Sequence, residues 1–181
     1  MNEEYISTQI AVYKNSKTLL EFHDKLKVAS MYSYAHIHAD GEDNGDGRRK
    51  HSLIGILMKD YSGGTGDKAV TVKANISPEE AKFILSRITT GFSEYTFQQE
   101  KIFGQKDEKG YAQVTKVRFI RALKDSKGNA RKIPWYVEVE NGKGIPLKNA
   151  TGGTYMKSGS FISTGKVYAN LTGLDLFKLL S

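Results

Sequence analysis

The segment 111–123 carries the residues best suited to binding chemistry. Lys116 and Arg118 alternate there with Val117 and Phe119. In an extended chain, successive side chains point to opposite faces, so the two cations share the surface opposite the apolar residues. Lysine and arginine follow phosphates, while aromatic rings stack on unpaired bases. This pattern predicts a strand whose polar face binds nucleic acid.

Other basic and aromatic residues extend this predicted surface along the second half of the chain. The expected nucleic-acid-binding residues are Lys101, Lys116, Arg118, Arg121, Lys124, Arg131, Lys132 and Tyr136. Two alternatives stay open. Lys and Arg also protect an edge strand against association with another sheet. Glu138 and Glu140 could pair across strands with the cations and neutralise the surface.

A second candidate is a metal site in the first half. His36 and His38 would share one side of a strand, and Glu42 follows. This spacing resembles the first metal motif of cupins, in which imidazoles and a carboxylate hold a divalent ion. Completing such a site needs another histidine, for which only His51 remains, and Arg49 stands where the motif expects glycine. We therefore expect no metal and no cofactor.

Motifs of catalysis are absent from the sequence. The chain has no Cys, which excludes disulfides, thiolate metal sites and a cysteine nucleophile. The glycine-rich stretches 63–66 and 152–153 lack the Gly-Lys-Ser/Thr ending of a phosphate loop, and no Gly-x-Ser-x-Gly sequence occurs. We expect a protein that is not an enzyme.

Charge and aromatic residues are unevenly distributed over the 181 residues. Residues 1–90 contain 12 basic and 12 acidic side chains, whereas residues 91–181 contain 15 and 8 and so carry the whole net charge of +7. Twelve of the aromatic residues also lie in the second half.

The sequence shows no targeting or membrane signal. Residues 1–4 are acidic, and the best apolar run, 53–58, is too short to span a bilayer, so a soluble, cytoplasmic protein without membrane contact is expected.

The elements that would position these residues are mainly strands. Strand candidates are 9–13, 32–38, 52–61, 68–76, 95–103, 111–123, 133–140 and 161–170, with a loop at 40–47. One helix is predicted after Ser16, because Leu19, Phe22, Leu26 and Ala29 recur at spacings of three and four.

Two further helices are predicted by capping signals. Ser77 followed by Pro and Glu80 forms a capping box, and Thr172 with Asp175 repeats it 95 residues later. Ala-Asn precedes both caps, at 74–75 and 169–170. We therefore predict an α+β fold of antiparallel sheets, each followed by a capped helix, with an internal duplication as a pseudo-dimer and an extra N-terminal helix. The predicted units are 1–90 and a basic unit at 91–181.

This arrangement resembles the single-strand-binding sheets of Whirly-type and transcriptional-coactivator-type proteins over 52–181. The resemblance implies single-stranded DNA held across a β-surface by stacking and phosphate contacts. The small basic chain is also similar in composition to phage or mobile-element accessory proteins, anti-CRISPR inhibitors among them. The expected function is non-catalytic nucleic-acid binding, with DNA favoured over RNA. The alternative is an inhibitor or adaptor that binds a nucleic-acid enzyme, such as an RNA-guided nuclease.

Overall fold

Antiparallel β-structure dominates the protein. A computed structural model describes residues 7–29, 40–43 and 45–181. Strand accounts for 52% of the structure and helix for 14%, with two α-helices in the described ranges. The expected α+β class, with a duplicated sheet-and-helix unit and an N-terminal helix, is therefore wrong. The core is built mainly from residues of the sheets, and the two short helices add four residues to it, Ala81, Ile84, Leu176 and Leu179.

The strands of the described chain form two four-stranded sheets and two short hairpins. Sheet I has the order β1-β2-β5-β6, sheet II has the order β12-β9-β8-β7, and β3-β4 and β10-β11 are the hairpins. The elements are β1 (Gln9–Lys14), β2 (Thr18–Lys25), β3 (Asp40–Asp43), β4 (Arg49–His51), β5 (Leu53–Asp60), β6 (Val70–Ile76), α1 (Pro78–Thr89), β7 (Glu94–Phe103), β8 (Ala112–Ala122), β9 (Trp135–Gly144), β10 (Pro146–Lys148), β11 (Thr154–Met156), β12 (Ile162–Leu171) and α2 (Gly173–Leu180).

The segment predicted as an N-terminal helix is strand β2. Its buried residues are Thr18, Leu20 and Phe22, a spacing of two, whereas Leu19 lies on the opposite face and Leu26 is 46% exposed. β2 pairs with β5 along its whole length. The helical spacing of apolar residues was accidental, and the alternation that fits the hydrogen-bonded neighbour determined the structure.

Part of the predicted loop at 40–47 is also a strand. Asp40–Asp43 pairs with Arg49–His51, with a shift in register between Asp40 and Asp43. The predicted strand 32–38, including His36 and His38, lies outside the described residues.

Both capping predictions are confirmed. The Ser77 hydroxyl accepts from the backbone N–H of Glu80 at 3.1 Å, and the Ser77 N–H donates to the Glu80 carboxylate at 2.7 Å. The Thr172 hydroxyl accepts from the Asp175 N–H at 3.1 Å in the same way. Each helix therefore begins directly after the last strand of its sheet, with its first N–H groups satisfied by side chains.

A single core joins the two sheets. Leu20, Phe22 and Ile56 of sheet I belong to the same buried cluster as Phe119 and Val137 of sheet II. The cluster therefore spans both predicted units. Because the inward residues of each strand are spaced by two, the outward residues of both sheets form separate polar surfaces.

Candidate nucleic-acid interface

The predicted cations of β8 lie on the outer face of sheet II. Val117 and Phe119 are completely buried, while Lys116 and Arg118 point to the other side, as the alternation predicted. In the register of the sheet, Arg118 lies opposite Glu138 on β9. The outer face therefore brings cations and carboxylates together.

These cations are paired with acids. The Lys116 Nζ lies 3.2 Å from the Glu100 carboxylate, and Arg118 Nη1 lies 3.6 Å from Glu138. Lys166 Nζ approaches the second oxygen of Glu138 at 3.0 Å. The Glu138 side chain is only 4% exposed, so the cations shield its charge from solvent. The neutralisation left open at the sequence level is present in the structure.

Tyr136 completes this outer cluster. Its hydroxyl donates to Glu138, and its ring stacks on Tyr168 with centroids 5.4 Å apart and an angle of 25°. Burial, followed by the hydrogen bond to Glu138, raises the pKa of the Tyr136 phenol, which stays a neutral donor. The ring of Tyr136 is half-buried, whereas Tyr168 is 54% exposed.

The remaining predicted residues are spread over several places. Arg131 reaches the outer face, where its partner Asn170 lies opposite Tyr136, whereas Arg121 and Lys101 belong to the inner face of sheet II. Arg131 donates to the Asn170 side chain at 3.2 Å, and Arg121 donates to the backbone oxygen of Phe92. Lys124 and Lys132 are exposed in the β8–β9 connection. Lys101 lies on the inner face of sheet II, near the end of β7. Arg121 lies at the other end of that strand, opposite Tyr95.

A more basic region lies where the outer face of sheet I meets the end of sheet II. An open cleft of about 900 Å³ is lined there by four lysines. Sheet I contributes Lys25 and Lys73, and sheet II contributes Lys101 and Lys143. We call this region the basic cleft.

Asn141 fixes the geometry of the basic cleft. Its side-chain oxygen accepts from the Lys73 N–H at 2.8 Å, and its amide nitrogen donates to the Lys73 carbonyl at 2.7 Å. This pair of bonds substitutes for a neighbouring strand at the open edge of β6. It holds the edge of sheet I across sheet II, so that residues from both sheets face the same opening.

Among the described residues, most cations of the basic cleft have no acidic partner. The Lys25 Nζ donates to the Asn75 side chain at 2.8 Å, and the Lys101 Nζ lies 3.4 Å from the Asn75 carbonyl. Within the described ranges, Lys25, Lys73 and Lys101 have no carboxylate within 4.0 Å. Lys143 is paired with Asp107 at 3.1 Å. The cleft therefore keeps an excess of positive charge.

Exposed aromatic rings also line the basic cleft. Phe103 at the end of β7 is 45% exposed, and Tyr155 on β11 is 50% exposed. Such rings offer stacking surfaces next to cations that can neutralise phosphates. The combination predicted for the outer face of sheet II is thus present in the cleft without neutralising acids on three of its lysines.

Sequence reasoning found Lys101 but missed Lys25 and Lys73. Both belong to the half of the chain whose formal charge is zero. The alternation of Lys73 with the buried Val72 and Ala74 would have placed Lys73 on the polar face of β6, but not beside Asn141 of β9.

No family model, curated protein or solved structure matches the chain. The described part of the structure contains no group of three or more His, Cys, Asp or Glu that could hold a metal ion, and His36 and His38 lie outside it. Among the helices of the described residues, none has the length and apolar character needed to cross a membrane. The structure itself therefore defines the protein as antiparallel β, with a basic cleft between two sheets that is lined by exposed aromatic rings.

Proposed function

We propose that this protein binds single-stranded nucleic acid, with DNA as the first candidate, in the basic cleft and without catalysing a reaction. The observation that carries the proposal is a set of three lysines that have no carboxylate partner in the described part of the chain, grouped with two exposed rings around one opening. Glu100 also lines the cleft, but it is held by Lys116. The local charge facing a ligand is therefore positive.

The cleft fits a single strand better than a duplex. Stacking on Phe103 or Tyr155 needs a base whose face is free, and duplex bases are covered by their neighbours. Neither α1 nor α2 lines the cleft, so no helix is presented there for insertion into a major groove. We therefore expect recognition of backbone and base faces with little dependence on base sequence.

The lysines suit phosphate contacts of low specificity. Each ammonium group is a compact charge on a flexible stem and can follow a phosphate as the strand shifts. Contacts to phosphates position a strand without reading its bases. Binding of this kind releases counterions and depends strongly on salt.

A salt titration tests the proposal. A fluorescently labelled single strand of DNA should bind with a log–log slope of affinity against salt of about −2 to −3, as expected for three or four phosphate contacts at about −0.7 each. Duplex DNA of the same sequence should bind more weakly, and single-stranded RNA provides the comparison between DNA and RNA. Fluorescence anisotropy between about 50 and 300 mM salt measures all three.

The titration has outcomes that contradict the proposal. Absence of binding at about 50 mM salt, or an affinity independent of salt, would remove nucleic-acid binding as the function. Protein that purifies with a defined protein partner after nuclease treatment would then support the inhibitor or adaptor function instead.

Stacking in the cleft is tested by removing single rings. Phe103→Ala or Tyr155→Ala should each cost about 1–3 kcal/mol of binding free energy, because a base loses its stacking surface. The salt slope should remain nearly unchanged, since no phosphate contact is removed. Anisotropy titrations at two salt concentrations separate the two effects.

Tyr168→Ala is the matched control for these ring variants. Tyr168 is 54% exposed, but it lies on the outer face of sheet II. The Tyr168→Ala variant should bind single-stranded DNA with the affinity of the parent protein if the strand binds in the basic cleft. Weaker binding by Tyr168→Ala, with no loss in the Phe103 and Tyr155 variants, would instead place the strand on the outer face.

A further inference from the structure

A second concentration of positive charge lies at the other end of sheet II. Arg87 is in the last turn of α1, and Arg121 lies beside Tyr95 in the register of β8 and β7. Phe83, near Arg87, contacts the Tyr95 ring with centroids 6.2 Å apart. Three elements thus bring two guanidinium groups and a phenol into one cluster, which we call the arginine cluster.

The arginine cluster contains no acid within the described structure. Neither Arg87 nor Arg121 has a carboxylate within 4.0 Å there. Arg87 contacts two rings, with its Cζ 4.6 Å from the Phe83 centroid and 4.7 Å from the Phe92 centroid. Arg121 donates to the Phe92 carbonyl. Both positive charges are thus held next to aromatic residues, with no anion among the described residues.

Three donors of the cluster are buried without an acceptor. These are the Nε of Arg87, the Nε of Arg121 and the hydroxyl of Tyr95. Burial raises the pKa of the Tyr95 phenol, against a smaller opposing effect of the Arg87 charge, so the phenol keeps its proton as a donor. A buried donor without a partner is costly, and such groups commonly mark the place of a water or an ion.

We propose that the arginine cluster is a binding site for a phosphate group. A phosphate supplies the negative charge that two unpaired guanidinium groups require, and guanidinium forks match its oxygens. Its tetrahedral oxygens also accept from several directions, which suits donors that arrive from α1, β7 and β8. A planar carboxylate offers only two oxygens and leaves more of these donors unsatisfied.

The aromatic side chains make the cluster reachable and ordered. Phe83 and Phe92 are 47% and 45% exposed, so the cluster lies beneath rings that border solvent. Contacts with both rings restrict the Arg87 guanidinium before a ligand arrives, which lowers the entropy lost on binding.

The arginine cluster is separate from the basic cleft. Tyr95 and Phe103 lie near opposite ends of β7, and eight residues of strand span about 26 Å. The proposed phosphate site therefore does not depend on the proposed nucleic-acid function. An experiment can contradict the phosphate site without contradicting nucleic-acid binding in the basic cleft, and the reverse is also true.

Titration of the full chain with inorganic phosphate tests the site, with sodium chloride at matched ionic strength as the reference. We expect saturable shifts of the Arg87 and Arg121 Nε–H resonances in NMR spectra and a melting temperature that rises with phosphate. Arg121→Gln should weaken phosphate binding about tenfold or more, as the loss of charged hydrogen bonds implies.

Two variants keep the test decisive. Tyr95→Phe removes one hydroxyl and little volume, and should weaken phosphate binding about fivefold without preventing folding. Arg48→Gln removes the same charge as Arg121→Gln at an exposed position beside the β3–β4 hairpin, outside the arginine cluster, and should leave phosphate binding unchanged. Equal shifts in phosphate and chloride, or equal phosphate affinities of Tyr95→Phe, Arg48→Gln and the parent protein, would overturn the proposal.

The source of the phosphate is distinguished by two short DNA strands, one with a 5′-phosphate and one with a 5′-hydroxyl. Stronger perturbation of the Arg87 and Arg121 resonances by the phosphorylated strand would assign the site to a strand end. Equal effects of the two strands, together with saturable binding of inorganic phosphate, would assign it to a small phosphate ligand. Both results support a phosphate site.

Discussion

Replacing Lys25, Lys73 and Lys101 together by glutamine is expected to weaken binding of single-stranded DNA about 100-fold at 0.1 M salt. Each phosphate contact to a single strand contributes about 0.7 to the salt slope, which corresponds to about fivefold in affinity at this salt concentration. Three lost contacts therefore multiply to roughly two orders of magnitude. The salt slope should become shallower by about 2. Anisotropy titrations of parent and variant at several salt concentrations measure both quantities.

The matched control replaces three exposed lysines outside the basic cleft by glutamine. Lys82, Lys127 and Lys178 are exposed and do not line the cleft, and their replacement changes the net charge by the same amount. This control should bind within a few-fold of the parent protein. If both triple variants weaken binding equally, the whole surface charge attracts the strand and the cleft is not its site. Circular dichroism shows whether each variant is folded.

The strand predictions succeeded where a spacing of two was clear. In β8 the buried Val117 and Phe119 alternate with Lys116 and Arg118, so the faces could be assigned before any partner strand was known. The helix caps were equally local, because Ser77 and Glu80 satisfy each other within one turn. Short-range geometry of this kind is contained in the sequence.

Other features depend on which strands become neighbours. β2 was predicted as a helix because four apolar residues have helical spacing, and only pairing with β5 shows that Leu20 and Phe22 form the buried face. The basic cleft joins Lys25 and Lys101, which are far apart in sequence and meet through the packing of two sheets. No pattern within one strand carries that information.

The predicted binding role of Lys116 and Arg118 remains a prediction, and the structure gives both residues another role. Arg118 contacts Glu138, a pairing that the sequence left open. Lys116 lies opposite Glu140 of β9 and Glu100 of β7 in the register, and its ammonium group contacts Glu100 and lies 3.8 Å from the centroid of the Phe161 ring. The lysine side chain is long enough to reach a carboxylate on either neighbouring strand. The register alone does not decide which of the two it contacts.

Replacing Arg118 and Lys166 together by methionine is expected to destabilise the fold by about 3–5 kcal/mol at neutral pH. Both cations contact the Glu138 carboxylate, whose side chain is 4% exposed. Their loss leaves a buried negative charge with the Tyr136 hydroxyl as its remaining donor among the contacts of the outer cluster. Methionine keeps the length and apolar stem of the replaced side chains, so the change isolates the charge. Urea unfolding followed by circular dichroism measures the free energy of unfolding.

Lys116→Met is the control for this expected loss. Its partner Glu100 is 39% exposed and can be hydrated when the lysine is removed, so the cost should stay below about 1 kcal/mol. Adding Glu138→Met to the Arg118 and Lys166 variant should restore much of the lost stability, because a buried ion cluster replaced by apolar side chains of similar size is often neutral or stabilising. A double variant no less stable than Lys116→Met would show that water reaches Glu138 as soon as its cations are gone. In that case Arg118 and Lys166 do not hold a desolvated charge, and the outer face of sheet II regains two cations that a phosphate backbone can contact.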